Sequence, residues 1–344
     1  MTDFLFQYGL FLTKTITLAA AIILVLAGLF SLIREAREQS HDHLQIKNIN
    51  DRFELMADTL NHQLLDENEL KQLQKTRKAE DKAKQKAAKK GLQPPRPRLF
   101  SLGFDGDINA TPVESLREEI SAVLQVARKE DEVVLRLESE GGLVHSYGLA
   151  ASQLTRIRDR KIKLTVVVDK VAASGGYLMA CVADKILAAP FAIIGSIGVV
   201  AQIPNFHRIL KKNEIDFELH TAGQYKRTLT LFGENTDEGR EKFREELEET
   251  HLLFKSFVTE NRPVLDIEKV ATGEHWYGTR ALSLRLIDEI KTSDDYLLER
   301  SKDADIYEVN FRRRQTLSDR LSGGMVKLGM GLRGGVEKAW ARKV

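Results

Sequence analysis

The chain predicts an α/β domain of repeated β–α units, preceded by one N-terminal transmembrane helix. Two observations predict the domain: from residue 99 onward short apolar runs alternate with helical patterns, and each apolar run ends in a polar turn. A third observation predicts the helix. Residues 15–33 are nineteen residues without a charge, which at about 1.5 Å per residue span roughly the 30 Å hydrocarbon core of a bilayer.

The helix before the domain is predicted to stay attached as an anchor, with membrane lipid as its partner. A cleaved signal peptide needs a pair of small residues after the apolar run, and residues 31–34, Ser-Leu-Ile-Arg, offer none. The chain then divides into an N-terminal segment (1–33), a charged helical stalk (34–98), the folded domain (99–311) and a basic flexible tail (312–344). The second half of the stalk, residues 71–98, carries eleven basic and two acidic residues.

Composition excludes several classes of function. The net charge of +2 is the difference between 52 basic and 50 acidic residues, so no overall field recruits nucleic acid, and we expect no nucleic-acid partner. Cys181 is the single cysteine, which excludes an internal disulfide and a cysteine-based zinc site. No His-Glu-x-x-His spacing is present, and we expect no metal or other cofactor.

Within the domain, strands are predicted at residues 99–104, 132–137 and 164–168, with helices at 113–129 and 146–159 between them. In sheets of this kind, sites form at the carboxyl ends of the strands.

Three further segments complete the predicted domain. The apolar run 186–201 is interrupted by proline and glycine and is too short to cross a membrane, so it is predicted as buried strand and turn. Residues 238–262 form a long amphipathic helix, and residues 267–290 supply one or two shorter ones.

Glycine-bearing turns follow the predicted strands and carry the strongest functional signal. They are Ser-Glu-Gly-Gly at 139–142, Ala-Ser-Gly-Gly-Tyr at 173–177 and Gly-Ser-Ile-Gly at 195–198. Glycine lets a backbone turn tightly and present N–H groups to an anion, and a serine entering a helix points its hydroxyl into such a pocket. A lone Ser-Gly-Gly is weak support, since most such tripeptides are only flexible turns.

Taken together, AASGGY, then GSIGVV, then TAGQYKR resemble the signal-peptide peptidase A family of bacterial membrane peptidases, over residues 99–290. The resemblance implies a ClpP/crotonase-like fold and a serine endopeptidase with a Ser–Lys dyad. It places the nucleophile on Ser174, the general base on Lys226 and a residue that orients the lysine on Ser196. It also implies peptide or protein substrates, such as signal-peptide remnants or misfolded envelope proteins, and a homo-oligomeric ring.

The oxyanion hole of such an enzyme needs two N–H donors, for which Gly175 and Gly142 are the candidates, with Gly141 possible within one position. The chain departs from the family at two places. Glu140 stands where a proline is usual, and Arg285 stands where a glycine commonly precedes the Leu-Val/Ile-Asp near the end of the domain.

A serine hydroxyl needs a neighbouring group to accept its proton, and a lysine does this only when it is neutral. Burial among apolar groups favours the neutral form, and Ile197, Val199 and residues 177–179 are candidates for that apolar wall. A Ser–His–Asp mechanism with Asp169 is the weaker alternative. The nearest downstream histidine, His207, lies farther from Ser174 in sequence than the roughly two dozen residues expected in a Clp-type peptidase.

Two other classes of function stay open on the sequence alone, a crotonase-like acyl-CoA enzyme and a catalytically silent membrane scaffold. Two features of the sequence also disagree about the side of the membrane on which the domain lies. The basic stalk favours a cytoplasmic domain under the positive-inside rule, whereas the family resemblance implies the periplasmic face of the bacterial inner membrane. We expect the periplasm.

Overall fold

A computed structural model describes residues 9, 11–18, 20, 22–23, 42–89 and 96–313 of the chain. The chain divides into two units, one made of residues 1–45 and 311–344 and the other of residues 46–310. The second unit contains the sheet core and all the predicted site residues.

The strands, numbered β1 to β10 in chain order, are His43–Asn48, Arg98–Gly106, Glu132–Ser139, Lys163–Val168, Val171–Ala173, Lys185–Ala188, Ile193–Gly195, His275–Tyr277, Glu289–Ile290 and Asp305–Arg312. The labelled helices, α1 to α10, are Ile49–Leu64, Glu67–Lys89, Val113–Val126, Val144–Asp159, Gly175–Ala180, His207–Lys212, Asp237–Asn261, Ile267–Val270, Gly278–Ser283 and Ser293–Arg300.

The sheet is mixed and forks near its middle. Its main path runs β1-β10-β2-β3-β4-β6-β9, while β5 leaves this path, pairs with the end of β3 and continues to β7 and β8. The pairings of β2, β3, β4 and β6 along the path are parallel, and β7 with β8 is antiparallel. The fork brings the carboxyl end of β5 beside the carboxyl end of β3, because Ala172 is in register with Ser139.

Both faces of the main path are buried, which explains its continuous apolar runs. Leu135 and Val166 lie in the larger core, which α3, α4, α5 and α7 cover. Their neighbours Val134 and Val167 point the other way, into the smaller core under α1 and α10. Full burial of such side chains contributes about 1.5–3 kcal/mol each, so the central strands fix the framework around the site.

A buried carboxylate ties α10 to the sheet. Glu132 accepts hydrogen bonds from Thr165 Oγ1 at 2.6 Å and Tyr296 Oη at 2.5 Å, and it pairs with Lys163 at 3.1 Å. Burial alone would raise the pKa of Glu132, but the two hydroxyl donors and the lysine outweigh it and lower that pKa. The interaction lies outside the predicted site, so Tyr296 offers a control position for mutagenesis.

The predicted central elements are confirmed, with ends that shift by a few residues. The run 186–201 forms β6, β7 and a turn, as expected for buried structure rather than a second membrane span. The region 267–290 contains two short helices and also two short strands, β8 and β9. Two- and three-residue strands have too little periodicity to be recognised from their own sequence.

The start of the predicted stalk belongs to the folded unit. The side-chain amide of Asn50 donates to the carbonyls of Ser301 and Ala304, both at 3.0 Å, and its oxygen accepts from the amide of Ile306 at 2.7 Å. Ile49 is only 5% exposed in the smaller core. Helix α1 is therefore fixed to the sheet, and the four-part division of the chain stays a prediction.

The described part of the predicted membrane span, residues 15–18, 20 and 22–23, is helical. Within the described ranges, no helix is long and apolar enough to cross a bilayer. The rest of the span, and the tail beyond residue 313, lie outside those ranges.

Arg285 adopts a left-handed backbone with φ of 60°, a conformation that glycine adopts without strain and arginine does not. We expect Arg285→Gly to raise the unfolding free energy by about 0.5–1 kcal/mol and the Tm by roughly 1–3 °C. The matched control is Arg280→Gly in α9, where glycine should instead cost about 0.5–1 kcal/mol. Thermal denaturation checks both variants, and a lower Tm for Arg285→Gly would contradict the backbone argument.

Candidate active site

Ser174 lies in the turn between β5 and α5 with a backbone that serine rarely adopts. Its φ is 52° and its ψ is −118°, its amide donates to the carbonyl of Gly195 at 2.8 Å, and its carbonyl accepts from the amide of Leu178 at 3.0 Å. The residue caps α5 through its backbone, while its side chain makes no capping bond. The turn therefore holds the backbone in a strained form and leaves the hydroxyl available.

The glycine turn after β3 lies directly against this serine. Gly141 has φ of +91°, and a side-chain carbon there would come within 2.8 Å of Ser174 Cβ and 2.7 Å of the amide nitrogen of Gly175. Only glycine fits so close an approach with that backbone. The two glycine turns are therefore in direct contact beside Ser174.

The backbone donors around Ser174 differ in whether they are already used. The amide of Gly141 donates to Ser139 Oγ at 3.1 Å, and the amide of Leu143 donates to the carbonyl of Ile108 at 2.9 Å. Between them, the amide of Gly142 has no acceptor among the described residues. Of the two glycines in this turn, Gly142 is therefore the one whose amide has no acceptor in the described part of the chain.

The second donor candidate is Gly175, the first residue of α5. The first amides of a helix have no acceptor within the helix, and the amide of Gly175 has no acceptor among the described residues. Gly142 and Gly175 thus present unused donors from the two turns that meet at Ser174.

Ser196 follows the strand that pairs with β5 on the same branch of the sheet. It follows β7, whose Gly195 is in register with Ala173 of β5, and its own φ is 51°. Its amide donates to the carbonyl of Glu274 at 2.7 Å, and its side chain is half-buried. The structure therefore places Ser196 directly after the strand that pairs with β5, beside the turn of Ser174.

Lys226 is not joined to either serine. It lies in an exposed stretch, and its amide donates to the carbonyl of Gly223 at 3.2 Å. Its ammonium makes no hydrogen bond or ion pair with any residue in the described part of the chain. The apolar wall expected around this lysine is likewise absent there, because the side chain is exposed.

The histidine alternative has little support in the geometry. Asp169 accepts from both the amide and the hydroxyl of Ser293, at 2.8 Å and 2.5 Å, and so caps α10. None of the histidines that the structure describes hydrogen-bonds Ser174. His145, His220 and His275 are exposed, and His207 begins α6.

Other titratable groups near the turns have simple roles. Glu140 is exposed beside the glycine turn. Cys181 is buried, and burial raises the pKa of its thiol to about 12, so it is inert as a nucleophile. Among the described residues, no group of three or more His, Cys, Asp or Glu could hold a metal ion. The expectation of no cofactor stays a prediction.

Sequence reasoning missed two residues that contact these turns. Tyr147 is fully buried under Gly175, and Ser139 holds the amide of Gly141. Ser139 stood inside a quoted motif, but its role depends on Tyr147, eight residues away in a helix, and no spacing rule would have paired them.

Comparison with known proteins identifies relatives over most of the chain. Residues 3–154 match the model described as Peptidase family S49 N-terminal, and residues 156–307 match Peptidase family S49. A Haemophilus influenzae protein named Probable protease SohB is 51% identical over 324 residues, covering 92% of each chain. A protein of the same name from Buchnera aphidicola subsp. Schlechtendalia chinensis is 50% identical over 305 residues, covering 87% of this chain and 100% of its own.

Among solved structures, a mutant of the 1510-N membrane-bound stomatin-specific protease in complex with a substrate peptide is 12% identical. It covers 68% of this chain and 100% of its own, with a TM-score of 0.42. A score that low does not identify a shared fold.

Proposed function

Because the chain belongs to peptidase family S49, and is therefore a peptidase, we propose that Ser174 and Lys226 are its catalytic dyad and that it acts as a membrane-anchored endopeptidase. The observation that carries the proposal is the turn at Ser174. There a strained backbone presents a serine whose side chain caps nothing, within contact of the glycine turn at Gly141. Strain of this kind concentrates at reactive positions in proteins.

The proposed reaction follows from the groups around this turn. Ser174 Oγ attacks the carbonyl carbon of the scissile peptide bond as its proton passes to neutral Lys226 Nζ. The amides of Gly142 and Gly175 donate to the oxyanion that forms. Collapse of this intermediate breaks the C–N bond, and the lysine ammonium returns the proton to the leaving amine. Water, deprotonated by the lysine, then attacks the acyl carbon, the C–O bond to Ser174 breaks, and the lysine ammonium returns the proton to Ser174 Oγ.

An exposed apolar arm carries the lysine. We use this name for residues 199–236, in which Phe217 packs against Phe232 with ring centres 5.8 Å apart. Other large apolar side chains of the apolar arm are nevertheless exposed to solvent: Val200 is 81%, Ile209 60% and Ile215 53% exposed. Apolar surface of this density marks a contact with another chain. We propose that neighbouring copies cover the arm in a ring and that this contact brings Lys226 of one copy to Ser174 of the next.

Mixing two inactive variants tests this arrangement in the full-length protein. Ser174→Ala and Lys226→Ala are purified separately, mixed under conditions that let subunits exchange, and assayed. If the dyad forms between copies, an equal mixture should regain about a quarter of wild-type activity, since each partner supplies one intact group at random. A mixture that stays inactive while mixed oligomers form, as shown by two fluorescent labels, would contradict pairing between copies.

The proposed substrates are extended peptides, including signal-peptide remnants and misfolded envelope proteins. Turns with Ser-Gly-Gly beside strand ends favour extended chains in shallow pockets, so we expect small residues at the cleavage position. Cleavage of a peptide library by the purified protein checks this, and a strong preference for Lys or Arg there would contradict it.

The proposed location is the bacterial inner membrane, with residues 15–33 as the anchor and the catalytic domain in the periplasm. The support is the uncharged length of that segment. A reporter that works only in the periplasm should be active when it is fused after Val344. Activity of a reporter that works only in the cytoplasm, fused at the same position, would contradict the orientation.

No observation favours the acyl-CoA enzyme or the silent scaffold. A fluorophosphonate probe tests the proposed nucleophile directly, because such probes react with activated serines. It should label Ser174 in the wild-type protein and leave Ser174→Ala unlabelled. An active protein labelled at another serine would contradict the assignment.

A further inference from the structure

Tyr147 of α4 lies beneath the turn that carries the nucleophile. It is fully buried, and a side-chain carbon on Gly175 would lie 2.4 Å from its Cγ atom. The ring is therefore in direct contact with the backbone that supplies one proposed oxyanion donor. At that distance no residue larger than glycine fits over the ring, so the packing fixes the distance between the backbone of the turn and the Tyr147 ring.

The hydroxyl of Tyr147 reaches the other glycine turn through Ser139. Tyr147 Oη lies 2.7 Å from the carbonyl oxygen of Asp107 and 2.5 Å from Ser139 Oγ, and Ser139 Oγ lies 3.1 Å from the amide nitrogen of Gly141. Burial raises the pKa of the Tyr147 hydroxyl, which therefore keeps its proton.

The direction of this hydrogen-bond chain follows from the donors available. The carbonyl of Asp107 can only accept, so it takes the single proton of Tyr147 Oη. Ser139 must then donate to Tyr147, which leaves Ser139 Oγ to accept from the amide of Gly141. The hydrogen bonds therefore all point the same way, from the Gly141 amide through the hydroxyls of Ser139 and Tyr147 to the carbonyl of Asp107, just after β2. Bonds aligned in this way strengthen one another.

We propose that Tyr147, acting through Ser139, is a positioning residue that aligns the two amides of the oxyanion hole. The proposal rests on the assignment of Gly142 and Gly175 as the donors. With the Gly141 amide held by Ser139 and the Leu143 amide held by Ile108, the peptide units on either side of the Gly142 amide are fixed. The ring of the same tyrosine supports Gly175, so one side chain sets both donors relative to each other.

A purely structural role for Tyr147 predicts a different outcome. Removing its hydroxyl leaves buried polar groups unpaired and should cost about 1–3 kcal/mol of stability in either case. A positioning residue also changes transition-state stabilisation, which appears in kcat and not in substrate binding. Kinetics therefore separate the two roles where thermal stability cannot.

The test compares Tyr147→Phe with Tyr296→Phe in the full-length protein. Both variants lose a buried hydroxyl that makes a 2.5 Å hydrogen bond, but Tyr296 bonds Glu132, away from the turns. Complete loss of an oxyanion donor costs about 10²–10³ in kcat, so we expect Tyr147→Phe to lose roughly tenfold or more, with KM changed by less than about twofold. Tyr296→Phe should lose stability and keep its kcat.

A peptide boronate supplies a readout that a structural role would not move. It forms a tetrahedral adduct on Ser174, so its affinity for Tyr147→Phe should fall in proportion to kcat/KM, while the affinity of a product peptide stays unchanged. Ser139→Ala should show the same pattern. The double variant should be hardly worse than either single one, because the two residues act as one unit.

Unchanged kcat and boronate affinity in Tyr147→Phe would overturn the proposal, and so would losses that add in the double variant. If Tyr147→Phe does not fold, Ser139→Ala alone decides on the same measurements. Failure here is distinct from failure of the dyad. Normal turnover by Tyr147→Phe beside an inactive Ser174→Ala rejects only the positioning role, whereas hydrolysis by Ser174→Ala rejects the nucleophile itself.

Discussion

Replacing either Ser174 or Lys226 by alanine is expected to lower kcat for peptide hydrolysis by about 10³-fold or more, and the double variant should be hardly worse than either. In the proposed mechanism no acyl-enzyme can form without Ser174, and no group accepts the serine proton without Lys226. Steady-state kinetics on one peptide substrate measure the effect. Circular dichroism shows that the fold is kept.

Lys211→Ala is the matched control for the lysine, since Lys211 is another exposed lysine of the apolar arm. It should keep wild-type turnover. Ser196→Ala should show a turnover between those of Lys226→Ala and Lys211→Ala, if Ser196 orients the base without taking the proton, as the family resemblance implies. An inactive Ser174→Ala beside a Lys226→Ala that keeps a substantial share of turnover would reject the dyad and direct the search for a base to His207.

Gly175→Ala is expected to lower kcat by about 10²–10³-fold, as displacement of an oxyanion donor does in serine hydrolases. The added methyl group would meet the Tyr147 ring 2.4 Å away, so the turn must move and carry its amide out of line. Substrate KM should change little, because the donor acts on charge that develops only in the transition state. Kinetics with the same peptide substrate measure both constants.

Gly148→Ala provides the control for this substitution. Gly148 lies in α4 next to Tyr147, and a carbon added there meets nothing within 4 Å. Alanine in that helix should stabilise the protein slightly and leave kcat unchanged. If Gly175→Ala were as active as Gly148→Ala, the turn at Gly175 would not supply a catalytic donor.

Much of the fold could be predicted from the sequence because its central strands are long and apolar on both faces. The continuous apolar runs that contain Leu135 and Val166 are typical of buried parallel strands. The strand β1 could not be predicted in this way. It lies at the edge of the sheet and is largely exposed, and only two apolar residues, Leu44 and Ile46, alternate with polar ones in it, which is too short a pattern to mark a strand within a charged segment.

The candidate site was predicted unevenly for a similar reason. Ser174 and the turn at Gly142 stand at the ends of adjacent strands, so local motifs and parallel topology together predict that they meet. Lys226 is exposed on the apolar arm and makes no hydrogen bond with Ser174. Under our proposal the two residues meet between copies, and a single chain does not contain that contact. The Tyr147–Ser139 contact joins a helix to a strand end through side-chain hydrogen bonds, which residue spacing does not encode.

The most direct test of a lysine base is the pH dependence of kcat/KM for the wild-type enzyme beside Lys226→Ala. A base must lose its proton to act, so wild-type activity should rise with pH. This rising limb should vanish in Lys226→Ala, whereas a histidine base would give a limb near about 6.5 in both proteins. A limb near 6.5 that persists in an active Lys226→Ala enzyme would contradict the Ser–Lys mechanism.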